Sequence, residues 1–419
     1  MGEVERPQGP LLAYFYHPRS FATLSLTRAM RERTTPLWLV DSTHPDTRPM
    51  TRLLSRSGPV VDLAGLTDDE SAATVAAYVP DGILTLADAH LVRTADLANR
   101  LELPFHSPRV ARLLTDKSRQ RDALEAAGLR VPRRCVVRVE QVDRDAVAEV
   151  GFPAVVKPRV GEASRFTEPV GSIDELESRL REFRDDGASG DYVVESYIPD
   201  APVGRAGDGF AGYVSVESVT TNGEIRHVAV TGRTPPAWPF RETGFFIPAQ
   251  LTPDDLDEVL TVASNALRAL DVDGACTHTE IKLTPSGPVV IEVNGRIGGG
   301  VPEMVERATG QDLLGAAIDV ALGRSPDVAH LAPVQQLAYL LYVHAPDSVH
   351  RLARVEGLDV LATAEGVDEV MLNRSIGDIL HWSDGNHGHV FSVAGSVRSH
   401  DELRRILHEV NERVAIVGG

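Results

Sequence analysis

Two alternating runs joined by a turn, "HTEIKL" and "VVIEVN" around "TPSGP", constrain this 419-residue chain more than any other stretch. The register of a hairpin decides which side chains share a face. A turn centred near Ser286 sets Glu280 opposite Glu292. The period of two then groups His278, Glu280 and Lys282 with Val290, Glu292 and Asn294. Ile281, Leu283, Val289, Ile291 and Val293 fall on the other face, which is the core face. Carboxylates opposed across a ladder repel each other. A divalent cation held by Glu280, Glu292 and the Asn294 amide offsets that repulsion, and hard oxygen donors of this kind suit magnesium.

The alternative is a solvated hairpin face carrying incidental acids. Against it stands "NGRIGGG", because a wet hairpin has no need of so many glycines. Arg296 is placed to meet an anionic group beside the cation. The glycines at 298–300 lead into the helical pattern "VPEMVERATG", where backbone N–H groups can approach an anion closely. A nucleotide is therefore the leading ligand. It would not be bound by a familiar loop, since neither GxxxxGK nor a GxGxxG after the first strand occurs.

The chain is long enough for two or three domains. "LLAYFY", "PLWLV", "GPVVDL" and "GILTL" read as strands alternating with helical stretches, which indicates βαβ units and a parallel sheet. A helix is expected over about 108–128, closing at Gly128 ahead of Pro132. Strands follow at "FPAVVKP", "DYVVESYI", "YVSVESV" and "IRHVAVTG", with a mobile glycine-rich loop at 203–212 and a helix at about 252–270. The region after about 330 mixes strands such as "QLAYLLYV" with a helix near 400–413 and carries no interpretable motif. A formal charge of -18 argues against a nucleic-acid partner. Cys135 and Cys276 have no paired spacing and read as buried apolar residues of a reducing compartment. The N-terminal stretch lacks an apolar leader pattern and no run is long enough to span a bilayer, so the expectation is a cytoplasmic protein with no membrane partner.

From about residue 10 to 325 these residues resemble the ATP-grasp superfamily, and more narrowly its carboxylate–amine ligases of the L-amino-acid ligase type. The most specific piece is "HTEIKLTPSGPVVIEVNGRIGGG", which is similar to the family's metal-binding hairpin. The resemblance implies an α/β fold, α+β in the ATP-grasp part. It places a Rossmann-like domain at 1–107, an ATP-grasp domain at 108–328 with a lid at about 133–200, and a C-terminal α+β domain at 329–419. It implies ATP and two Mg²⁺ ions, or Mn²⁺ in their place, with Glu280, Glu292 and Asn294 as ligands and Arg296 as the catalytic group beside the reacting carboxyl. Lys117 and Lys157 resemble the two ATP lysines, and "VVESYI" resembles the adenine-gripping hinge, with Glu195 and the backbone of Ile198 as contacts. Ser164 falls in the phosphate-covering loop "GEASRF", which has fewer glycines than is usual, and His227 and Arg233 match further phosphate-side contacts. In "FRETGFFIPAQL", Glu242 fits the substrate segment, whereas Phe245 occupies the place of a recurring histidine.

The implied activity joins an amino acid, or a related carboxylic acid, to the amine of a second amino acid through an acyl phosphate, releasing ADP and phosphate. The partners are then small molecules, with a homodimer as an option. Arg296 and residues 298–300 would bind the acyl group, and Trp238, Phe240, Phe245 and Phe246 would select substrate. The alternatives are an ATP-grasp carboxylase, a purine-type ligase, or a nucleotide-binding regulator that has lost catalysis.

Overall fold

A parallel sheet whose inner strands are apolar on both faces must be buried between helices, and the N-terminal region is built that way. In the computed structural model, which describes residues 9–18, 20, 23–199 and 205–419, it runs β1 (Leu11–Phe15), α1 (Thr23–Arg31), β2 (Thr35–Val40), α2 (Thr47–Leu54), β3 (Val60–Asp62), α3 (Asp68–Ala76), β4 (Gly82–Leu84) and α4 (Asp88–Leu101). The sheet is parallel in the order β3-β2-β1-β4, and every residue of β1 is buried. The order reverses between β1 and β4. Ligands of open α/β sheets collect outside the strand ends at such a reversal, and Pro18 after β1 and residues 86–88 after β4 line the large cavity described below.

The single helix expected over 108–128 is two, α5 (Pro108–Thr115) and α6 (Lys117–Ala126). Asp116 leaves the helical conformation and its carboxylate accepts from the N–H groups of Ser118 and Arg119. That cap restarts the helix and sets Lys117 at its first position. Next come β5 (Arg134–Arg138), α7 (Arg144–Val150), β6 (Ala154–Pro158), β7 (Glu168–Val170), α8 (Ile173–Asp185) and β8 (Asp191–Ser196). These strands form an antiparallel sheet in the order β5-β8-β6-β7, which shares an apolar cluster with α7 and α8 through Val147, Leu176, Leu180, Phe183 and Tyr192. Cys135 in β5 is half-buried, while Cys276 is buried as expected.

The remainder comprises β9 (Tyr213–Thr221), β10 (Glu224–Arg233), β11 (Gly244–Ile247), α9 (Pro253–Ala269), β12 (Ala275–Thr284), β13 (Gly287–Asn294), α10 (Val301–Thr309), α11 (Leu313–Ala321), β14 (Leu337–His344), β15 (Leu352–Glu356), α12 (Leu358–Leu361), β16 (Val367–Leu372), β17 (His389–Val397), α13 (His400–Arg413) and β18 (Ala415–Gly418). Eight strands make one antiparallel sheet, β13-β12-β9-β10-β11-β14-β17-β16. It runs unbroken across residue 328, because β11 pairs with β14 from Gly244↔Leu341 to Ile247↔Ala338. Part of the expected 203–212 loop, Val203 and Gly204, lies outside the described residues.

Two of the register slips in this sheet decide which of the expected site residues face the cavity. In the β12–β13 hairpin, His278 pairs with Asn294 and Glu280 with Glu292 as the turn predicts, but the register slips between Glu280 and Ile281. The extra residue swaps the faces nearer the turn. Val290, expected on the polar face, is buried in a core cluster with Val293, and Ile291, expected in the core, lines the cavity instead. A second bulge separates His227 from Ala229 in β10. Beyond it Thr231 and Arg233 face the cavity side, reaching Glu217 and Ser215 respectively, while His227 is turned to the opposite face.

Candidate active site

One cavity of about 1290 Å³ lies among the small sheet, the hairpin, residues 298–300 and the C-terminal strands. Of the residues singled out in the sequence, Lys117, Lys157, Ser164, Glu195, Ile198, Arg233, Glu242, Phe245, Glu280, Glu292, Asn294, Arg296 and glycines 298–300 all line it. His227 does not. Its Nδ1 meets Ser218 Oγ at 2.9 Å and its Nε2 meets Ser264 Oγ at 2.8 Å, so it is a satisfied buried histidine against α9. The bulge after it removes the parity that would have placed it beside Arg233. The aromatic segment also divides. Phe240 and Phe245 line the cavity, Phe246 packs into the C-terminal core, and Trp238 is exposed.

At one end three cations meet two carboxylates. Lys157 Nζ lies 2.7 Å from Glu195 Oε2, and Arg121 grips the same carboxylate through Nε at 3.0 Å and Nη2 at 3.3 Å. Lys117 Nζ pairs with Glu292 Oε1 at 2.9 Å and donates to Gly161 O at 2.8 Å. Burial alone would raise the pKa of Glu195, but Arg121 and Lys157 hold it at about 2. Burial pulls Lys157 down, with Arg121 adding to it against the pull of Glu195. Burial works against the charge of Lys117 as well, yet Glu292, Asp88 and Glu195 outweigh it and its pKa rises. This end carries an excess positive charge inside a low-dielectric wall, which favours a polyanion.

The middle of the cavity is organised around His278. Its Nδ1 lies 2.9 Å from both oxygens of the fully buried Glu217, and its Nε2 is 3.5 Å from Glu280 Oε1. Burial would lower its pKa, but Glu217 and then Glu280 raise it to about 9. Arg233 Nη2 lies 3.0 Å from the same Nε2 and 2.9 Å from Ser215 Oγ, and Nη1 is bound to Glu242 Oε1 at 2.8 Å. Two cations therefore adjoin, balanced by Glu217, Glu280 and Glu242. Arg296 is held by Asp88 at the first position of α4, with Nε at 3.0 Å from Oδ2. Gly298 has no room for a side chain, since a Cβ would come within 2.7 Å of Val301 and 2.8 Å of the His278 ring. Gly300 adopts φ +71° as the N-cap of α10.

Glu280, Glu292 and Asn294 could hold a cation. Among the described residues no three His, Cys, Asp or Glu side chains converge as a metal cluster. Two carboxylates and an amide nevertheless fit magnesium, which keeps waters and takes phosphate oxygens for its remaining positions.

Sequence reasoning missed Arg121, Asp88, Glu217 and the whole C-terminal wall. Asp88 opens a helix straight after β4, where an acid reads as an ordinary helix-start residue. The C-terminal wall includes Tyr342, Asn386 and His389. Asn386 accepts from Glu242 N at 2.8 Å, donates from Nδ2 to Glu242 Oε2 at 3.1 Å, and its own N–H donates to Ala163 O at 2.9 Å.

Residues 150–303 match the family model of the ATP-grasp domain. The chain carries an ATP-grasp domain. An uncharacterized protein, y4rH, of Sinorhizobium fredii is 29% identical over 293 residues, 70% of this chain and 58% of that protein. The alanine–anticapsin ligase of Bacillus subtilis is 27% identical over 274 residues, 59% of this chain and 55% of that enzyme. This chain thus spans little more than half the length of these curated relatives. The crystal structure of an L-amino acid ligase from Bacillus licheniformis superposes with a TM-score of 0.78 at 20% identity, covering 99% of this chain and 100% of that one, and shows that the fold extends beyond the ATP-grasp domain to the flanking regions. No helix among the described residues is long and apolar enough to cross a membrane.

Proposed function

We propose that this protein is an ATP-dependent carboxylate–amine ligase that joins an amino acid, or a related acid, to the amine of a second amino acid through an acyl phosphate. The observation that carries the reading is one cavity lined by Lys117, Lys157, Arg121, Arg296 and glycines 298–300, into which the opposed Glu280 and Glu292 also face. The likeness to the alanine–anticapsin ligase and to the L-amino acid ligase supports the same activity.

Amide formation from a carboxylate is uphill in water, so the acid must first take the γ-phosphoryl group of ATP. Glu280, Glu292 and Asn294 would hold Mg²⁺, two ions in this reading, which supplies charge neutralisation for the transferring phosphoryl group. Lys117 and Lys157 hold the phosphates as point charges, and Glu195 keeps Lys157 aimed. The segment near Ile198 takes the adenine, and Ser164 lies in the loop that covers the phosphates. Arg296, tethered by Asp88, orients the acid and then stabilises the oxyanion as the amine attacks. The small sheet over about 133–200 acts as a lid that keeps water from the acyl phosphate.

With ATP, Mg²⁺ and pairs of amino acids, the protein is expected to release ADP and phosphate and to form a condensed product detectable by mass. Arg296→Ala should lower that rate by about 10²- to 10³-fold. Phosphate release by Glu292→Ala at the wild-type rate would show that the centre has been misassigned.

A further inference from the structure

We propose that the Nε2 atom of His389 is the proton acceptor for the attacking amine, an assignment that rests on the ligase reading above. His389 opens β17 in the C-terminal region and lines the cavity. Its Nδ1 lies 2.9 Å from the carbonyl oxygen of Asn386. A carbonyl can only accept, so Nδ1 carries the hydrogen and Nε2 is left with its lone pair. Among the described residues no hydrogen bond engages Nε2.

The ring is next to the reacting end of the cavity. It packs on Tyr342 with ring centroids 4.6 Å apart, and Tyr342 meets Phe245 edge-on at 5.5 Å. Both the Tyr342 hydroxyl and the Phe245 ring edge come within 3.5 Å of the point where a Cβ on Gly300 would sit. Phe245 cannot exchange a proton, and Tyr342 is held in its neutral form by burial. On this wall His389 offers an imidazole lone pair that can receive one.

Its surroundings favour its unprotonated form. Burial, and next the neighbouring Arg374, depress its basicity, while the Asn386 carbonyl opposes them in part. The groups that face it are Tyr342 and His344 of β14, Asn386, and Arg374, whose charge is shared with Asp384 at 3.0 Å. None is a free carboxylate that would hold the imidazolium permanently. Asn386 also bonds Ala163 in the loop bearing Ser164 and both ends of Glu242, so the segment presenting His389 is braced against the nucleotide side.

The step balances. The amine enters as R–NH₃⁺, and Nε2 takes one proton to free its lone pair. The nitrogen attacks the acyl carbon, the C–N bond forms, and the C–O bond to phosphorus breaks with its electron pair leaving on phosphate. The second proton departs with that phosphate as HPO₄²⁻, and His389 returns the first to solvent.

The test separates activation from transfer. Hydroxylamine is largely unprotonated at neutral pH and captures acyl phosphates as hydroxamates without a base, so it serves as the probe beside ordinary amino acids, each offered as acid and as amine. His389→Asn retains an N–H where Nδ1 stands and deletes Nε2, and His389→Gln preserves more volume. Both variants should give hydroxamate and ADP as wild type does, and form amide with kcat reduced about 10²-fold. Their amide rate should climb as pH is raised until the amine itself is unprotonated, while that of wild type levels off earlier. Equal loss of hydroxamate and amide, or retention of both, would overturn the assignment and leave the ligase reading standing. Absence of hydroxamate from wild type with every acid would instead overturn the ligase reading and this inference with it.

Discussion

Removing Glu195 should cost more stability than removing either of the cations it joins. Arg121, Glu195 and Lys157 are all buried, at 1%, 4% and 8% exposure, so none can recover its charge partner from water. The Glu195 carboxyl is held at about 2 against an ordinary 4.5, equivalent to roughly 3 kcal/mol in favour of its charged form in the fold. Glu195→Gln forfeits that amount and leaves Arg121 and Lys157 facing each other, so its cost should approach 5 kcal/mol, the upper range for breaking a buried pair. Arg121→Met leaves a neutral Glu195–Lys157 pair and removes a donor to Ile291 O, a cost of about 3 kcal/mol. In the double variant only Lys157 remains, with no like charge beside it and burial alone disfavouring its charged form. The two costs should therefore fall short of additivity by about 1–3 kcal/mol.

The sign with pH follows from the direction of the shift. A carboxyl whose pKa is depressed by folding contributes fully above its ordinary value and loses that contribution as pH falls from 4.5 toward about 2. Urea-dependent hydrogen exchange at the β8 amides reads this locally, which avoids assuming that a chain of several domains unfolds in one step. The gap between wild type and Glu195→Gln should be wide at pH 7 and narrow near pH 3. A larger cost for Arg121→Met than for Glu195→Gln, or a gap that does not change with pH, would refute the reasoning.

Gly298→Ala should disturb the site through His278, because the new methyl must displace either Val301 or the imidazole. We expect about 1–3 kcal/mol of destabilisation, the usual range for overpacking, with a reduced kcat, whereas Gly299→Ala meets nothing within 4 Å and should fold as wild type in thermal melts. His227→Phe should lower stability by about 1–3 kcal/mol by stranding Ser218 and Ser264, yet leave the KM for ATP unchanged in steady-state assays. A raised KM there would restore His227 to the nucleotide site.

What the sequence made legible was whatever depends on period and turn chemistry. The parallel N-terminal strands and the opposition of Glu280 to Glu292 follow from alternation and from one Pro-Ser-Gly turn, and the structure reproduces them. Bulges escaped because an inserted residue carries no compositional mark, yet each one inverts every side chain on one side of it. That single effect accounts for both Val290 and His227. Contacts between distant segments escaped for a different reason. Arg296 and Asp88 are 208 positions apart, and nothing in either neighbourhood announces the other.

The C-terminal wall shows how far this second limit reaches. "DGNHGHV" reads as a polar loop before a strand, and its Asn and two His are unremarkable in a chain with 14 histidines. They gain meaning only because β11 pairs with β14 and β14 with β17, so that the sheet carrying the Glu280–Glu292 hairpin at one end carries His389 further along, lining the same cavity. Phe245 lies on β11 between them. A histidine missing from the segment where the family places it and a histidine present one strand beyond Tyr342 are thus parts of one wall. Comparing single positions along the chain would score the first as a loss and overlook the second. Pairing order, rather than motif spacing, is what relates them, and for that reason variants at His389 test the architecture of the sheet as well as the chemistry of the site.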